Sequence, residues 1–222
     1  GERALNKAGV ANTLIPHGVD TKIFAPGDRD KARAKFKFSD ADFTVGMVAA
    51  NKGVPSRKAF PENLQALAIF KQRHPKVKTK LYLHTTEGTQ AAGVDMTALL
   101  LDLGFVKEDV TFVHQYQYLL GLDETYMADA YNAMDVLLAA SMSEGFGIPL
   151  IEAQACGTPV ITTNFSAMPE LCFAGWLAEP AQRHWTPFNS WMVIPSVESI
   201  ADCLEQAYQH RSDAGLRAKA RE

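Results

Sequence analysis

One segment constrains the fold of this chain more than any other: Ser143-Glu144-Gly145-Phe146-Gly147-Ile148-Pro149-Leu150-Ile151-Glu152-Ala153. An apolar run of strand length, residues 135–140, precedes it, and another, residues 159–163, follows it after a glycine. Pro149 suits the first turn of a helix, because the N–H group that proline lacks would have no partner there. The segment therefore predicts a strand, a glycine turn, a helix and a second strand.

Strand and helix patterns also alternate along the rest of the chain. Four further runs have the length of a strand and an apolar centre, and the first of them is nearly all apolar: residues 43–50, 80–85, 110–114 and 174–178. This alternation predicts a Rossmann-like α/β three-layer sandwich, in which helices cover both faces of a parallel sheet. Ligands of such sheets bind beyond the carboxyl ends of the strands. We expect one of the loops at that edge over residues 116–123.

Composition excludes several classes of protein. The net charge is −3 and the pI about 6.1, whereas a nucleic-acid-binding domain is usually basic. No apolar run reaches the roughly 18 residues of a transmembrane segment. The three cysteines form no Cys-x-x-Cys pair, which favours free thiols and a cytoplasmic location. No cluster has the spacing of metal ligands, so we expect neither a metal nor another cofactor.

The glycine turn offers groups that bind an anion. The N–H groups of residues 145–148 would be free to face a ligand, and a helix N-terminus favours negative charge, so a diphosphate fits there. The carboxylates of Glu144 and Glu152 can accept hydrogen bonds from the hydroxyls of a sugar or a ribose. The same spacing equally suits a turn and a helix with incidental acids, and it leaves both interpretations open.

The segment from Glu144 to Val160 resembles the Glu-x7-Glu motif of retaining GT-B glycosyltransferases, family 4 in particular. That motif contains Glu-Gly-Phe-Gly, a hydrophobic residue, Pro, two hydrophobic residues and Glu-Ala, and Ala-Cys-Gly-x-Pro-Val follows it. Residues 16–26 and 58–67 are similar to two other family segments and lie in the same order. The resemblance covers roughly residues 10–210 and implies the C-terminal, donor-binding half of a GT-B fold.

The resemblance implies a role for each charged residue of the site. Glu152 would hold the ribose hydroxyls of a nucleotide sugar, and Glu144 would contact the hydroxyls of the transferred sugar. Lys58 would neutralise the diphosphate leaving group, on which negative charge develops. Glu144 and Lys58 are therefore the expected catalytic residues. Further residues are expected to line the nucleotide-sugar site: Gly145, Phe146, Gly147, Ile148, Arg57, Asn51, Gln115 and Tyr116.

The chain departs from the family pattern in the loop that precedes and contains Lys58, residues 51–58. The family usually has an arginine about five residues before the lysine, but position 53 is glycine here. Arg57 or Lys52 takes over its role, or the diphosphate is held more weakly. Ala59 stands where glycine is common, which implies a different loop backbone.

Family members have two Rossmann-like domains, with the active site between them. By resemblance, residues 1–15 are a remnant of the interdomain segment, and residues 16–222 are a donor-binding domain truncated at both ends. We expect retaining transfer of a hexose from a UDP- or GDP-sugar to an acceptor held by the missing N-terminal domain. That domain would also mediate any membrane contact. Without it, the donor-binding domain would be almost inactive and able to self-associate. The alternatives are an epimerase-like enzyme and a non-catalytic nucleotide-sugar-binding module.

An aromatic segment near the end of the chain has no assigned role. Core, lid and partner surface are all compatible with its residues: Trp176, Trp185, Phe188 and Trp191.

Overall fold

A six-stranded parallel sheet forms the centre of the molecule, with strand order β3-β2-β1-β4-β5-β6. The computed structural model describes residues 2–13, 15–40, 42–53, 55–89, 92–187 and 189–221. The strands are β1 (Phe43–Val48), β2 (Thr79–His84), β3 (Val110–Phe112), β4 (Val136–Ala139), β5 (Val160–Thr163) and β6 (Gly175–Ala178). All six lie where the apolar runs predict them, and the prediction of a Rossmann-like α/β fold is confirmed.

Helices cover both faces of this sheet. Their bounds are α1 (Glu2–Lys7), α2 (Arg29–Lys35), α3 (Phe60–Arg73), α4 (Met96–Asp102), α5 (Gln115–Leu120), α6 (Glu124–Ala133), α7 (Ile148–Ala155), α8 (Val197–Gln209) and α9 (Ala214–Arg221). Residues of α3, α4 and α8 share one buried cluster, and residues of α2, α6 and α7 share a second. Neighbouring strand residues such as Leu81 and Tyr82 belong to different clusters, because successive side chains point to opposite faces.

The prediction of a loop over residues 116–123 is wrong for residues 116–120, which belong to the helix α5. The ring of His114 accepts a hydrogen bond from the N–H group of Gln117 (3.4 Å), in the manner of an N-cap. Gly121, with φ 92°, ends the helix. Histidine is not among the preferred N-cap residues, so the sequence gives no usual start signal here.

A second sheet, which the sequence did not predict, is an antiparallel hairpin of β7 (Pro180–Trp185) and β8 (Trp191–Pro195). The N–H group of Thr186 donates to the carbonyl of Ser190 (3.0 Å) and closes the connecting turn. Phe188 lies outside the described residues. Trp176 packs against the core, whereas Trp185 and Trp191 are exposed on the hairpin.

Two further predictions concern the whole chain. All three cysteines are free, and Cys156 and Cys203 are buried, which confirms the prediction of free thiols. Within the part of the chain that the structure describes, no helix is both long and apolar enough to cross a membrane.

Candidate functional site

The candidate site lies where the loops after β1 and β4 meet. These strands are neighbours in the sheet. After β1 the chain adds β2 and β3 on one side, and after β4 it adds β5 and β6 on the other, so the carboxyl ends of β1 and β4 are the topological switch point of the sheet. The N–H group of Met142 donates to the carbonyl of Arg57 (2.9 Å) and joins the two loops. A narrow pocket there, of about 20 Å³, is lined by Lys58, Glu144 and the first residues of α7, among others.

Glu144 lies between two cations of the loop after β1. Its Oε1 atom accepts a hydrogen bond from Lys58 Nζ at 2.5 Å, and its Oε2 atom accepts one from Arg57 Nη1 at 3.0 Å. Arg57 also donates to the carbonyl of Ser143. The side chains of Glu144 and Lys58 are only 11% and 20% exposed, so the ion pair is shielded from water. The structure thus brings the two predicted catalytic residues into direct contact.

The two cations decide the charge of Glu144. Burial alone would raise its pKa, but the charge of Lys58 and hydrogen bonds from Lys58, Arg57 and Ser141 outweigh burial and lower the pKa below the ordinary value. Glu144 is therefore an anion at neutral pH, able to accept hydrogen bonds but unable to donate a proton.

The backbone after Lys58 shows what the departure from the family pattern at Ala59 costs. This residue is fully buried and adopts a left-handed conformation, with φ 50°. Glycine reaches that conformation without a penalty, whereas alanine pays about 1 kcal/mol or more. The side chain of Asn63 donates to the carbonyls of Ala59 (2.8 Å) and Ala140 (3.0 Å) and so holds the strained loop against β4.

The glycine turn presents unpaired donors beside this ion pair. Gly147 has φ 106° and caps α7, which begins at Ile148 with Pro149 as its second residue. No group among the described residues accepts a hydrogen bond from the N–H groups of residues 145–148. Together with the positive end of the α7 dipole, these donors form a surface suited to a phosphate.

Glu152 lies one turn into α7, and Tyr131 fixes its carboxylate. The fully buried Tyr131 donates its hydroxyl hydrogen to Glu152 Oε2 at 2.7 Å. Burial and the charge of Glu124 raise the pKa of Glu152, although the bond from Tyr131 opposes the rise. The second carboxylate of the motif is therefore oriented by a neutral donor, and the first by cations.

Replacing Glu152 with glutamine is expected to raise the melting temperature at about pH 7. Because its pKa is raised in the folded state, protonated Glu152 contributes to the free energy of unfolding. That contribution is fully present below the ordinary pKa of 4.5 and is lost as pH rises through the folded-state pKa. Glutamine cannot ionise and still accepts a hydrogen bond from Tyr131, so it avoids this loss. Thermal unfolding followed by circular dichroism at about pH 4 and pH 7 should show a gain only at the higher pH, while a Glu108→Gln control, at an exposed glutamate away from Glu152, changes little. A lower melting temperature of the glutamine variant at pH 7 would contradict the prediction.

Ser166 and Tyr131 are site residues that the sequence analysis missed. Ser166 Oγ donates to the carbonyl of Glu144 (2.7 Å) and accepts from its N–H group (3.1 Å), so it fixes the backbone that carries the carboxylate. Neither residue lies in a recognisable motif. Their roles are visible only in the folded structure, where Ser166 contacts Glu144 and Tyr131 contacts Glu152.

The remaining predicted site residues differ in their surroundings. Of the two candidates for the missing arginine, Arg57 contacts Glu144, whereas Lys52 is exposed. The buried Asn51 side chain donates to the carbonyl of Val94 (2.7 Å), and Gln115 donates to the carbonyl of Thr85 (3.1 Å). Both amides thus hold neighbouring loops. Their contact with a nucleotide, like that of the exposed Tyr116, stays a prediction.

Residues 43–210 match the family of glycosyl transferases group 1. This match spans all six strands of the central sheet and every residue of the ion-pair site. The chain belongs to the group 1 glycosyltransferases. The D-inositol 3-phosphate glycosyltransferase of Rhodococcus erythropolis is 30% identical over 89% of this chain and 43% of that protein. The D-inositol 3-phosphate glycosyltransferase 2 of Catenulispora acidiphila is 32% identical over 96% and 49%. This group 1 glycosyltransferase chain therefore spans under half the length of both relatives.

Solved structures share the fold. The C-terminal domain of the group 1 family protein LpcC from Francisella tularensis superposes with a TM-score of 0.64, at 24% identity, over 92% of this chain and 93% of that one. Anabaena HepE, solved in complex with UDP-glucose, superposes with a TM-score of 0.72, at 20% identity, over 99% of this chain and 55% of its own. The fold is that of the C-terminal domain of a GT-B glycosyltransferase.

Proposed function

We propose that this chain binds a UDP- or GDP-sugar and supports retaining transfer of the hexose to an acceptor held by a second domain, outside this chain. The observation that carries the proposal is the Glu144 carboxylate, held by Lys58 and Arg57 next to the free N–H groups of residues 145–148. An anion site and a sugar-hydroxyl acceptor lie side by side there, as a nucleotide sugar requires.

In the proposed complex, the diphosphate lies on the N–H groups at the start of α7. Lys58 then turns from Glu144 to the phosphate oxygens, and Arg57 alone keeps the carboxylate ionised and oriented towards the sugar hydroxyls. Glu152, held by Tyr131, accepts the ribose hydroxyls. When the bond between the sugar and the phosphate breaks, negative charge grows on the diphosphate, and Lys58 stabilises that charge. The two cations on one glutamate thereby have separate tasks.

Similarity to proteins with known ligands supports the nucleotide part of this proposal. HepE was solved with UDP-glucose, and the relatives above are named for transfer to D-inositol 3-phosphate. For this chain, the donor is inferred from the site's own groups. They are the turn whose four N–H groups have no acceptor among the described residues, the cation of Lys58, and the two carboxylates of Glu144 and Glu152. Retention of configuration is inferred from the motif, and the anomeric proton signal of the product tests it in the longer protein.

Isothermal titration of the chain with UDP and with GDP is expected to show one binding site for at least one of the two nucleotides. Glu152→Ala should weaken that binding by about tenfold or more, because it removes a charged acceptor of two ribose hydroxyls. Glu108→Ala, which removes an exposed glutamate away from the site, is the matched control. Absence of binding by either nucleotide at millimolar concentration, with the domain folded, would contradict the proposed function. An unchanged affinity of Glu152→Ala would remove the ribose role alone.

A further inference from the structure

The β7–β8 hairpin packs against the loop that carries Glu144. The N–H group of Val193, on the outer edge of β8, donates to the carbonyl of Met142 (3.1 Å). Met142 precedes Glu144 by two residues. Two residues of extended chain span at most about 7 Å, so the middle of β8 lies close to Glu144.

One face of the hairpin is turned towards the loops of the site. The strand register pairs Trp185 with Trp191 and Arg183 with Val193, and residues two apart on a strand share a face. The guanidinium of Arg183 lies 5.7 Å from the centre of the Phe165 ring. Phe165 precedes Ser166, which is bonded to the backbone of Glu144. The two tryptophans therefore project from the site-facing side of the hairpin, beyond its contact with the domain.

Trp185 and Trp191 form an aromatic pair that the protein leaves open. Their ring centres are 5.3 Å apart in an edge-to-face arrangement, and the residues are 55% and 52% exposed. An isolated exposed apolar residue is common, whereas a contiguous exposed apolar patch is a feature of interaction sites, and the two rings form one such patch. Each ring also keeps an indole N–H group as a hydrogen-bond donor.

We propose that Trp185 and Trp191 form a platform that binds a sugar ring of the acceptor, an inference that rests on the proposed function. A pyranose has one face of C–H bonds, which suits an aromatic ring, and a rim of hydroxyls, which suits the indole N–H groups. The acceptor must approach the hexose held at Glu144, and the platform lies on that side. The two Trp residues thus contribute to acceptor recognition from within the donor-binding domain.

Two other occupants fit the same surface less well. A second copy of the chain would need about 800 Å² of contact on each partner, whereas two half-exposed tryptophans offer about 250 Å². A membrane surface attracts clusters of basic residues, but the two strands carry one arginine, Arg183, which lies over Phe165. A sugar ring needs neither a large area nor a cluster of cations.

The test is a titration of the chain, saturated with the nucleotide that it binds, with four trisaccharides: maltotriose, cellotriose, mannotriose and chitotriose. Saturation-transfer NMR and tryptophan fluorescence report binding. We expect at least one trisaccharide to bind, and Trp185→Ala and Trp191→Ala to weaken it by about tenfold while nucleotide affinity changes by less than about twofold. Trp185→Leu and Trp191→Leu keep the apolar cross-strand contact but lose the flat ring, so they should weaken binding even where the alanine variants disturb the hairpin. Phe173→Ala removes an equally exposed aromatic ring away from the hairpin and should change nothing.

Each outcome decides the proposal. Binding of a trisaccharide that depends on both tryptophans supports the platform, and it does so even when no nucleotide binds, in which case the proposed function alone fails. Absence of trisaccharide binding by a chain that binds nucleotide overturns the platform. The same holds when the leucine variants bind sugar as the parent does, or when the tryptophan variants alter only sedimentation or binding to anionic vesicles.

Discussion

Replacing Lys58 with alanine, in a protein that joins this chain to the proposed acceptor-binding domain, is expected to lower kcat for sugar transfer by about 100- to 1,000-fold, the range found when one stabilising donor is removed from a developing anion. Lys58 is 20% exposed and bonded to Glu144 in the free site, so its charge acts in a pocket with little water. Ground-state binding of the donor should change less, because Arg57 and the N–H groups at the start of α7 remain. The expected loss therefore falls on kcat more than on the KM of the donor.

The loop itself supplies the matched control for this experiment. Lys52 lies six residues earlier, is exposed and does not take part in the Glu144 cluster, so Lys52→Ala should keep kcat within about twofold. Steady-state kinetics with varied donor concentration separates the two parameters. A Lys58→Ala variant that raises KM but keeps kcat would mean that Lys58 binds the diphosphate equally in the ground state and the transition state, and not as the leaving group departs.

The pairing of Lys58 with Glu144 also shows how far the sequence could be read. The two residues are 86 positions apart, yet both belong to segments that resemble one family, so their shared site was predictable. Ser166 and Tyr131 belong to no such segment. Ser166 bonds to Glu144 through the packing of two loops, and Tyr131 bonds to Glu152 through the packing of α6 against α7, and neither contact is visible in a single sequence. Asn51 was placed in the correct loop, but its amide turns inward to the carbonyl of Val94.

The fold, like the site, was predictable in part from the sequence. The strands β1 and β4 are buried and nearly continuous apolar runs, and the other four strands have apolar centres, so all six were visible. Their order depends on crossovers that periodicity does not specify. The hairpin strand β7 is mostly exposed and polar and shows no strand pattern, and the short apolar strand β8 was noticed only as part of an aromatic segment. The feature that carries the acceptor proposal was thus the one least visible in the sequence.

Replacing Asp135 with asparagine is expected to lower the free energy of unfolding by about 3–5 kcal/mol, the range found when one partner of a buried ion pair is removed. Asp135 lies just before β4, at the end of the sheet opposite to the candidate site. Its Oδ2 atom accepts hydrogen bonds from Arg33 (3.1 Å) and from the N–H group of Thr44 (2.7 Å), and its Oδ1 atom accepts one from Arg29 (2.5 Å). The side chains of Asp135 and Arg33 are both 4% exposed.

Arg33 decides the size of this loss. Burial lowers its pKa and the charge of Asp135 raises it, so the buried cation depends on this carboxylate. Asparagine keeps the shape of the side chain but turns an N–H₂ group or a weaker acceptor towards the same donors. Urea unfolding followed by tryptophan fluorescence measures the change, and Asp129→Asn is the control, because the Asp129–Lys35 pair is exposed and should contribute less than about 1 kcal/mol. A loss for Asp135→Asn as small as that of the control would mean that the bonds from Arg33 to the carbonyl of Asp42 (3.0 Å) and to Thr44 Oγ1 (2.9 Å) compensate for its buried charge.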